Sequence, residues 1–334
     1  MTSKITTKSS RAFNGGSITD EIMPTWLQEA IKAIMLPIAG ILFFLLIWGT
    51  AAQNINTSLG QFPGPAKAWE QFQSLMTEHN TEREKAVAFY QRQDDRNVAR
   101  IAIDPNYPVK IRNYTGKPTY IDQIGTSLIT VLTGFILASL IAIPLGITIG
   151  LSKNLYAAAN PIIQLLKPVS PLAWLPLVTM VVSAVYVTDD PLFAKSFITS
   201  VITVLVCSLW PTVINTAVGV ASINQDLINV SKVLRLKPMT HVFKIVIPSS
   251  IPMVFTGLRL SLGIAWMVLI AAEMLAQNPG LGKFVWDEFQ NGSSNSLGRI
   301  MVAVLTIGLI GFLLDRLMLM LQRLFSWDKQ AVLR

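Results

Sequence analysis

Residues 224–252 read NQDLINVSKVLRLKPMTHVFKIVIPSSIP, a polar and net basic segment that separates two long apolar runs. In its first half, apolar residues recur at i, i+3, i+6 and i+7 (Leu227, Val230, Val233 and Leu234), a pattern that predicts an amphipathic helix. A short helix of this kind, lying along a membrane surface, can fit a groove in another protein. We therefore expect this segment to bind a soluble partner.

The composition places the chain in a membrane. Of its 334 residues, 51% are hydrophobic and 14% are charged, and the mean hydropathy of +0.50 is too high for an ordinary soluble protein. A helix needs about 20 mostly apolar residues to cross a hydrocarbon core. The sequence predicts six such spans, at residues 33–52, 124–151, 161–187, 197–220, 251–275 and 297–314, the last with an apolar continuation to 321.

The distribution of basic residues predicts the orientation of these spans. The net charge is +8, and Lys and Arg residues cluster before the first span, within residues 224–252 and after the last span. These three segments lie on one side of the membrane if six spans alternate. Because Lys and Arg favour the cytoplasmic side, we expect both termini and the central segment to be cytoplasmic. The basic charge is thus a membrane pattern, and we expect no nucleic-acid partner.

The central segment resembles the coupling loop of ABC importer permeases, in which Glu-Ala-Ala is followed by Gly and then by Ile-x-Leu-Pro. Residues 229–231 (NVS) stand where Glu-Ala-Ala would be, Arg235 occupies the Gly position, and residues 245–248 (IVIP) match the closing half. Residues 257–266 (GLRLSLGIAW) and 271–274 (AAEM) follow at the family's spacing. The resemblance runs from about residue 123 to residue 324, within the branch that carries nitrate, bicarbonate, taurine and alkanesulfonates.

This resemblance implies an all-α integral membrane protein with the small-importer (type I) ABC permease fold. It implies a homodimer around one central path, two cytoplasmic ATPase subunits and an extracytoplasmic substrate-binding protein, in a bacterial inner membrane. Residues 170–176 (SPLAWLP) and 279–290 (PGLGKFVWDEFQ) look similar to nitrate permeases. Nitrate, or nitrite, is therefore the expected substrate, and bicarbonate, taurine or another sulfonate is the alternative.

The predicted organisation has one large insertion outside the membrane. Within it, residues 66–100 lack Pro and place opposite charges three residues apart, as in Glu82 with Lys85 and Arg92 with Asp95, which predicts one or two helices. The insertion either docks a substrate-binding protein or caps the permease dimer. The predicted regions are a cytoplasmic tail at 1–32, the first transmembrane helix at 33–52, the insertion at 53–119, a core permease domain at 120–324 with its coupling loop at 221–250, and a second cytoplasmic tail at 325–334.

ATP binding is not expected on this chain. The phosphate-binding pattern is Gly, four residues, then Gly-Lys-Ser/Thr, and the nearest match, at residues 280–283 (GLGK), has Gln277 in place of the first Gly and Phe284 after the Lys. We expect no enzymatic site and no cofactor here, with ATP and Mg²⁺ on the partner ATPases. The resemblance implies that these partners contact Asp226, Asn229, Val230, Ser231, Arg235 and Met239.

Three prolines in the third predicted span, Pro168, Pro171 and Pro176, indicate a translocation path. Each removes a backbone donor, and unpaired carbonyls at membrane depth require neighbouring protein or a water-filled cavity. Basic and hydroxyl side chains nearby suit a small anion, although Lys167 could instead extend to the lipid headgroups. The candidate path residues are Lys167, Ser170, Trp174, Thr179, Arg259 and Glu273.

Two of these path candidates have structural alternatives. Arg259 is either a cytoplasmic gate or anion contact, or a tie between its span and the coupling loop. Glu273 is a gate or a structural hydrogen-bonding group rather than a ligand, because a carboxylate repels an anion.

Other classes of membrane protein fit the sequence less well. An ion-coupled transporter is expected to have acids at mid-membrane and inverted repeats, and a membrane enzyme is expected to cluster His, Asp or Cys. The chain has one cysteine, Cys207, which we expect to act as a small apolar residue. We expect its two histidines, His79 and His241, to be solvated. The spans also contain glycines that predict close helix approach, at 134, 146, 150, 257 and 263.

Overall fold

The computed structural model describes residues 25–57, 60–188 and 191–325. Most of the predicted N-terminal tail, and all but the first residue of the predicted C-terminal tail, lie outside these ranges. The chain divides into two units, residues 1–56 and 57–334. In the first unit, helix α1 (Thr25–Asn54) begins within the predicted tail and contains the candidate span at residues 34–54. Its apolar side chains, such as Phe43 and Leu46, are mostly exposed, as expected for contact with lipid.

The second unit is almost entirely helical. The described residues include two strands of two residues each, β1 (Asn56–Thr57), which begins at the last residue of the first unit, and β2 (Gly60–Gln61). The helices are α2 (Pro65–Ile103), α3 (Tyr120–Leu151), α4 (Lys153–Leu166), α5 (Pro171–Val185), α6 (Lys195–Ala221), α7 (Gln225–Val233), α8 (Pro238–His241), α9 (Ile247–Ala276), α10 (Leu281–Asn291) and α11 (Ser296–Phe325), with a π-helical turn (Val242–Val246) between α8 and α9.

The described residues contain five helical spans long and apolar enough to cross a membrane, or six if α4 and α5 count as one broken span. The predicted all-α membrane fold is therefore confirmed. The third span, predicted as one helix over 161–187, is wrong in detail, because α4 and α5 are bent by 98° at a break. Pro171 begins α5, and a residue before proline disfavours helical geometry. Ser170 instead caps α5 by accepting a hydrogen bond from the backbone N–H of Leu172.

Helix α6 lies at the centre of the second unit, between α3 and α9. Its contact with α3 depends on glycine, because a Cβ at Gly134 would lie 2.7 Å from Val204 and one at Gly146 would lie 2.6 Å from Thr216. Gly150 of α3 and Gly257 of α9 also lie against α6. Close helix approach is thus confirmed at four of the five predicted glycines, whereas a Cβ at position 263 would meet nothing within 4 Å.

Helix α2 is the main element of the predicted insertion. The predicted pair of Glu82 and Lys85 is present at 3.3 Å, but Arg92 donates to the carbonyl of Ala88 instead of pairing with Asp95. Ion pairs fix α2 to the core helices, from Arg83 to Asp122 of α3 and from Glu78 to Arg299 of α11. His79, which we expected to be solvated, is half-buried, and its Nδ1 lies 2.7 Å from Thr119 Oγ1.

Candidate functional site

Residues 224–246 form a helical hairpin that we call the coupling hairpin, made of α7, a turn, α8 and the π-helical turn. Asn224 caps α7 by accepting a hydrogen bond of 2.9 Å from the N–H of Asp226. Ile228 packs against a buried apolar cluster that includes Val220 of α6 and Val246 of the π-helical turn. These contacts hold α7 against the end of the helical core.

The turn after α7 has the geometry of a Schellman motif, in which the residue after the C-cap is usually glycine. The N–H of Arg235 donates to the carbonyl of Lys232, and the N–H of Leu236 donates to the carbonyl of Ser231, both at 3.1 Å. Arg235 has a φ of +46° and therefore occupies the left-handed region. This geometry explains why the resembled motif has Gly at this position, and it means that Arg235 carries backbone strain.

A side-chain hydrogen bond joins the two arms of the coupling hairpin. Ser231 is only 6% exposed, and its Oγ lies 2.8 Å from Nδ1 of His241 in α8. His241, which we expected to be solvated, is half-buried and has one ring nitrogen bonded to Ser231. Ser231, which we expected at the ATPase contact, instead has its hydroxyl inside the hairpin, where it supports the surface without forming part of it.

The outer face of the coupling hairpin is apolar. We call the side chains of Leu227, Val230, Leu234 and Met239 the coupling patch; Val230 is 50% exposed and Met239 is 69% exposed. Its rim is polar, because the predicted contacts Asp226, Asn229 and Arg235 are exposed too. The motif resemblance does not assign Leu227 and Leu234 to the partner contact, although their helical spacing with Val230 places all three on one helical face.

The candidate path residues around the α4–α5 break are largely engaged in local structure. Lys167 is exposed at the C-terminal end of α4, and Ser170 caps α5. Thr179 Oγ1 donates to the carbonyl of Leu175 at 2.8 Å within α5, and Trp174 is half-buried on the same helix. The hydroxyls of Ser170 and Thr179 thus serve their own helix in this structure.

Arg259 makes a two-pronged ion pair. Its Nε donates to Asp315 Oδ1 at 2.5 Å, and its second guanidinium nitrogen donates to Oδ2 at 3.0 Å. Bidentate pairs of this type fix orientation as well as contributing energy. The pair joins α9 to α11, and not to the coupling hairpin as the structural alternative expected.

Glu273 is completely buried at the end of α9. Ser127 Oγ of α3 lies 2.9 and 2.8 Å from its two carboxylate oxygens, and the N–H of Gly282 donates to Oε2 at 3.0 Å. Ser127 also accepts a hydrogen bond of 2.8 Å from the N–H of Leu281. The carboxylate therefore holds the loop between α9 and α10 against α3, which favours the structural alternative for Glu273.

Comparison with known proteins relates this geometry to a family. Residues 142–327 match the family model "Binding-protein-dependent transport system inner membrane component". The chain is 35% identical to the bicarbonate transport system permease protein CmpB of Synechococcus elongatus, over 89% of this chain and 91% of that protein. CmpB of Synechocystis sp. is 33% identical, over 96% of this chain and 99% of its own length. The nitrate import permease protein NrtB of Synechococcus elongatus is 39% identical, over 61% of this chain and 69% of its own length.

A solved structure supports the fold. A chain of the MetNI methionine ABC transporter, in inward-facing conformations, matches with a TM-score of 0.52 at 14% identity, covering 62% of this chain and 96% of that chain. Such a low identity informs the fold alone, and the predicted type I permease fold is confirmed. Together with the family match over residues 142–327, it shows that the protein is a multi-pass ABC importer permease that belongs to the binding-protein-dependent transport system inner membrane component family.

Proposed function

We propose that this protein is the permease of an ABC importer that moves a small inorganic oxyanion into the cytoplasm, driven by separate ATPase subunits. The observation that carries the proposal is the coupling hairpin, which presents an exposed apolar patch on a braced helical support. An exposed apolar surface with a polar rim is typical of a protein-binding site. The ATPase partner binds this patch, and ATP and Mg²⁺ belong to that partner.

Alternating access follows from how the hairpin connects to the core. Helix α8, the π-helical turn and α9 follow one another without an intervening loop, so motion of the hairpin reaches α9 directly. Helix α9 is tied to α11 by the Arg259–Asp315 pair and to α3 through the contact of Glu273 with Ser127. Two copies of the permease enclose the path, both termini and the hairpin are cytoplasmic, and an extracytoplasmic binding protein delivers the anion.

Bicarbonate is our first candidate substrate. The similarity to CmpB of Synechocystis sp. covers 96% of this chain and 99% of that protein, so it includes α2 and the core together. The similarity to NrtB of Synechococcus elongatus covers 61% of this chain. Sequence similarity over almost the whole chain favours a shared substrate more strongly than similarity over the core alone.

Nitrate, which was the first expectation from the sequence, is the second candidate. The observation that favours it is the higher identity to NrtB, 39% over 204 residues, compared with 35% over 299 residues for CmpB. Both ions are small, planar oxyanions with one negative charge, so the same path could accept either. Selection between them would then depend on the substrate-binding protein.

Uptake by the complete transporter tests this proposal. The permease, its ATPase and its binding protein are expressed in a strain that lacks its own bicarbonate and nitrate transporters, and uptake of each labelled ion is measured with the other ion or taurine as competitor. ATP-dependent bicarbonate uptake that taurine does not inhibit is expected. Nitrate uptake without bicarbonate uptake would select the second candidate, and uptake of neither ion would contradict the proposal.

A further inference from the structure

A groove with a volume of about 370 Å³ opens on the surface of the second unit where α3, α4 and α6 meet. Its apolar floor includes Ile149 of α3 and Ala217 of α6, and Ala221 lies at one end. The helices approach closely there, because a Cβ at Gly150 would lie 2.7 Å from the carbonyl oxygen of Ala217. Small side chains thus leave a shallow apolar channel between two membrane-spanning helices.

One end of the groove is basic and aromatic. Lys153 and Tyr156 lie three residues apart on α4, which places them side by side on one helix face. Both side chains are exposed, Tyr156 by 45%, and within the described ranges neither the Lys153 ammonium group nor the Tyr156 hydroxyl takes part in a hydrogen bond or an ion pair. A free ammonium group and a free phenol therefore border an apolar channel.

The groove lies at the level where a membrane surface is expected. The candidate spans α3 and α6 end at Leu151 and Ala221, beside Lys153 and Ser222 at the groove. The coupling hairpin begins three residues after α6 ends, so groove and hairpin share one end of the core. Tyrosine is enriched at membrane–water interfaces, and basic pockets between spanning helices bind anionic lipid headgroups.

We propose that this groove is a binding site for one anionic phospholipid. Lys153 pairs with the phosphate of the headgroup, the Tyr156 hydroxyl donates a hydrogen bond to the same phosphate, and one acyl chain lies in the channel above Ala217. The charge of Lys153 selects an anionic lipid over a zwitterionic one. The apolar channel selects a lipid over free phosphate, which has no group to place there.

Native mass spectrometry of the purified full-length permease tests the proposal. Phosphatidylglycerol and phosphatidylcholine with identical acyl chains are titrated separately into delipidated protein in neutral detergent, with and without inorganic phosphate. Tighter binding of phosphatidylglycerol, unaffected by millimolar phosphate, is expected. Lys153→Gln should weaken phosphatidylglycerol about fivefold, the effect of one basic residue near a lipid surface, and should weaken phosphatidylcholine less, because its choline cation already offsets the phosphate charge.

Two further variants keep the test specific. Ala221→Phe fills the channel and should weaken both lipids, while Lys195→Gln removes an exposed charge at the opposite end of α6 and should change neither. Equal affinity for both lipids, or equal losses in Lys153→Gln and Lys195→Gln, would overturn the proposal. If Ala221→Phe instead lowered the dimer fraction in the same spectra without affecting lipid, the groove would be an interface between two copies. Transport is not measured, so the result is independent of the proposed substrate.

Discussion

Ser231 Oγ lies 2.8 Å from His241 Nδ1, and this hydrogen bond closes the coupling hairpin across the turn that contains Arg235. The two residues belong to different helices of the hairpin, which are otherwise joined by a few residues of turn. Because α8 leads through the π-helical turn into α9, the bond connects α7, the helix proposed to bind the ATPase, to a candidate membrane span. A displacement of α7 can therefore be transmitted to α9 while the hairpin stays folded.

Ser231→Ala should weaken energy coupling without removing the exposed patch. A half-buried hydrogen bond contributes about 1 kcal/mol, so the closed hairpin becomes several-fold less populated relative to open forms. ATP-dependent uptake should fall severalfold, whereas association of the ATPase on a pull-down should change less. Ser139→Ala, which removes a hydroxyl bonded only within α3, is the matched control and should behave as wild type. Equal uptake in all three proteins would show that the bond has no part in coupling.

Val230→Asp tests the coupling patch directly. Val230 is a half-exposed member of the patch, and a carboxylate there would have to lose its hydration when an apolar partner surface covers it. The permease should still insert in the membrane, but the ATPase should no longer copurify with it, and uptake should stop. Val98→Asp makes the same change at a more exposed site on α2 and should leave ATPase association intact. Retained association in Val230→Asp would remove the patch as the docking site.

Arg235→Gly should stabilise the turn. The left-handed conformation costs a residue with a side chain about 1–2 kcal/mol, whereas glycine adopts it freely but loses part of this gain to backbone entropy. We expect a net gain of about 0.5–1 kcal/mol, measured by thermal unfolding in detergent. Arg235→Ala removes the same side chain and keeps the strain, so it should not be stabilised. If ATPase association weakens equally in both variants, the guanidinium group itself contacts the partner.

The outcome at individual residues shows how far the sequence could be read. The length of an apolar run predicts a span, because the thickness of the membrane sets the length that a spanning helix needs. The helical spacing of Leu227 and Val230 predicts α7 at the correct place. The prolines between α4 and α5 are visible in the sequence, but the bend is not predicted from them, because the presence of proline does not fix the angle between the two helices. The contact of Glu273 with Ser127 joins residues 146 positions apart, so no local pattern could reveal it.

Gly280→Ala should destabilise the loop between α9 and α10. A Cβ at this position would lie 2.1 to 2.3 Å from the buried carboxylate of Glu273, which is held by Ser127 and cannot easily withdraw. Overpacking of this kind costs about 1–3 kcal/mol, so the midpoint of thermal unfolding should fall. Gly125→Ala is the control: it lies inside α3 with nothing within 4 Å of the new methyl group, and it should be neutral or stabilising by up to about 1 kcal/mol. A loss in both variants would point to a general effect of alanine in these helices.

The hydrogen bond from Tyr114 Oη to Glu82 Oε1, 2.6 Å long, should make the segment after α2 sensitive to pH. It is the main cause that lowers the pKa of Glu82 below its ordinary 4.5, and it raises the pKa of Tyr114 above its ordinary 10.0. A lowered carboxyl pKa contributes stability above pH 4.5 that is lost as pH falls through the folded value. A raised phenol pKa contributes stability below pH 10.0 that is lost as pH rises through the folded value. Protection of residues 105–118 from hydrogen exchange should therefore be greatest between these limits.

Tyr114→Phe separates this bond from the other charges around α2. In that variant the pKa of Glu82 should rise towards 4.5, because its largest lowering cause is gone, and the protection of residues 105–118 should depend less on pH at both limits. Tyr107→Phe, which keeps a ring beneath Arg100 and removes a hydroxyl elsewhere in the same segment, should retain the wild-type pH profile. The pKa of Glu82 is measured by NMR titration of the carboxyl group in isotope-labelled protein. Protection is measured from hydrogen-exchange rates corrected for their intrinsic pH dependence. If protection in Tyr114→Phe is still lost at the same low pH as in the wild type, that loss belongs instead to the Arg83–Asp122 pair, because Asp122 also loses its negative charge at low pH.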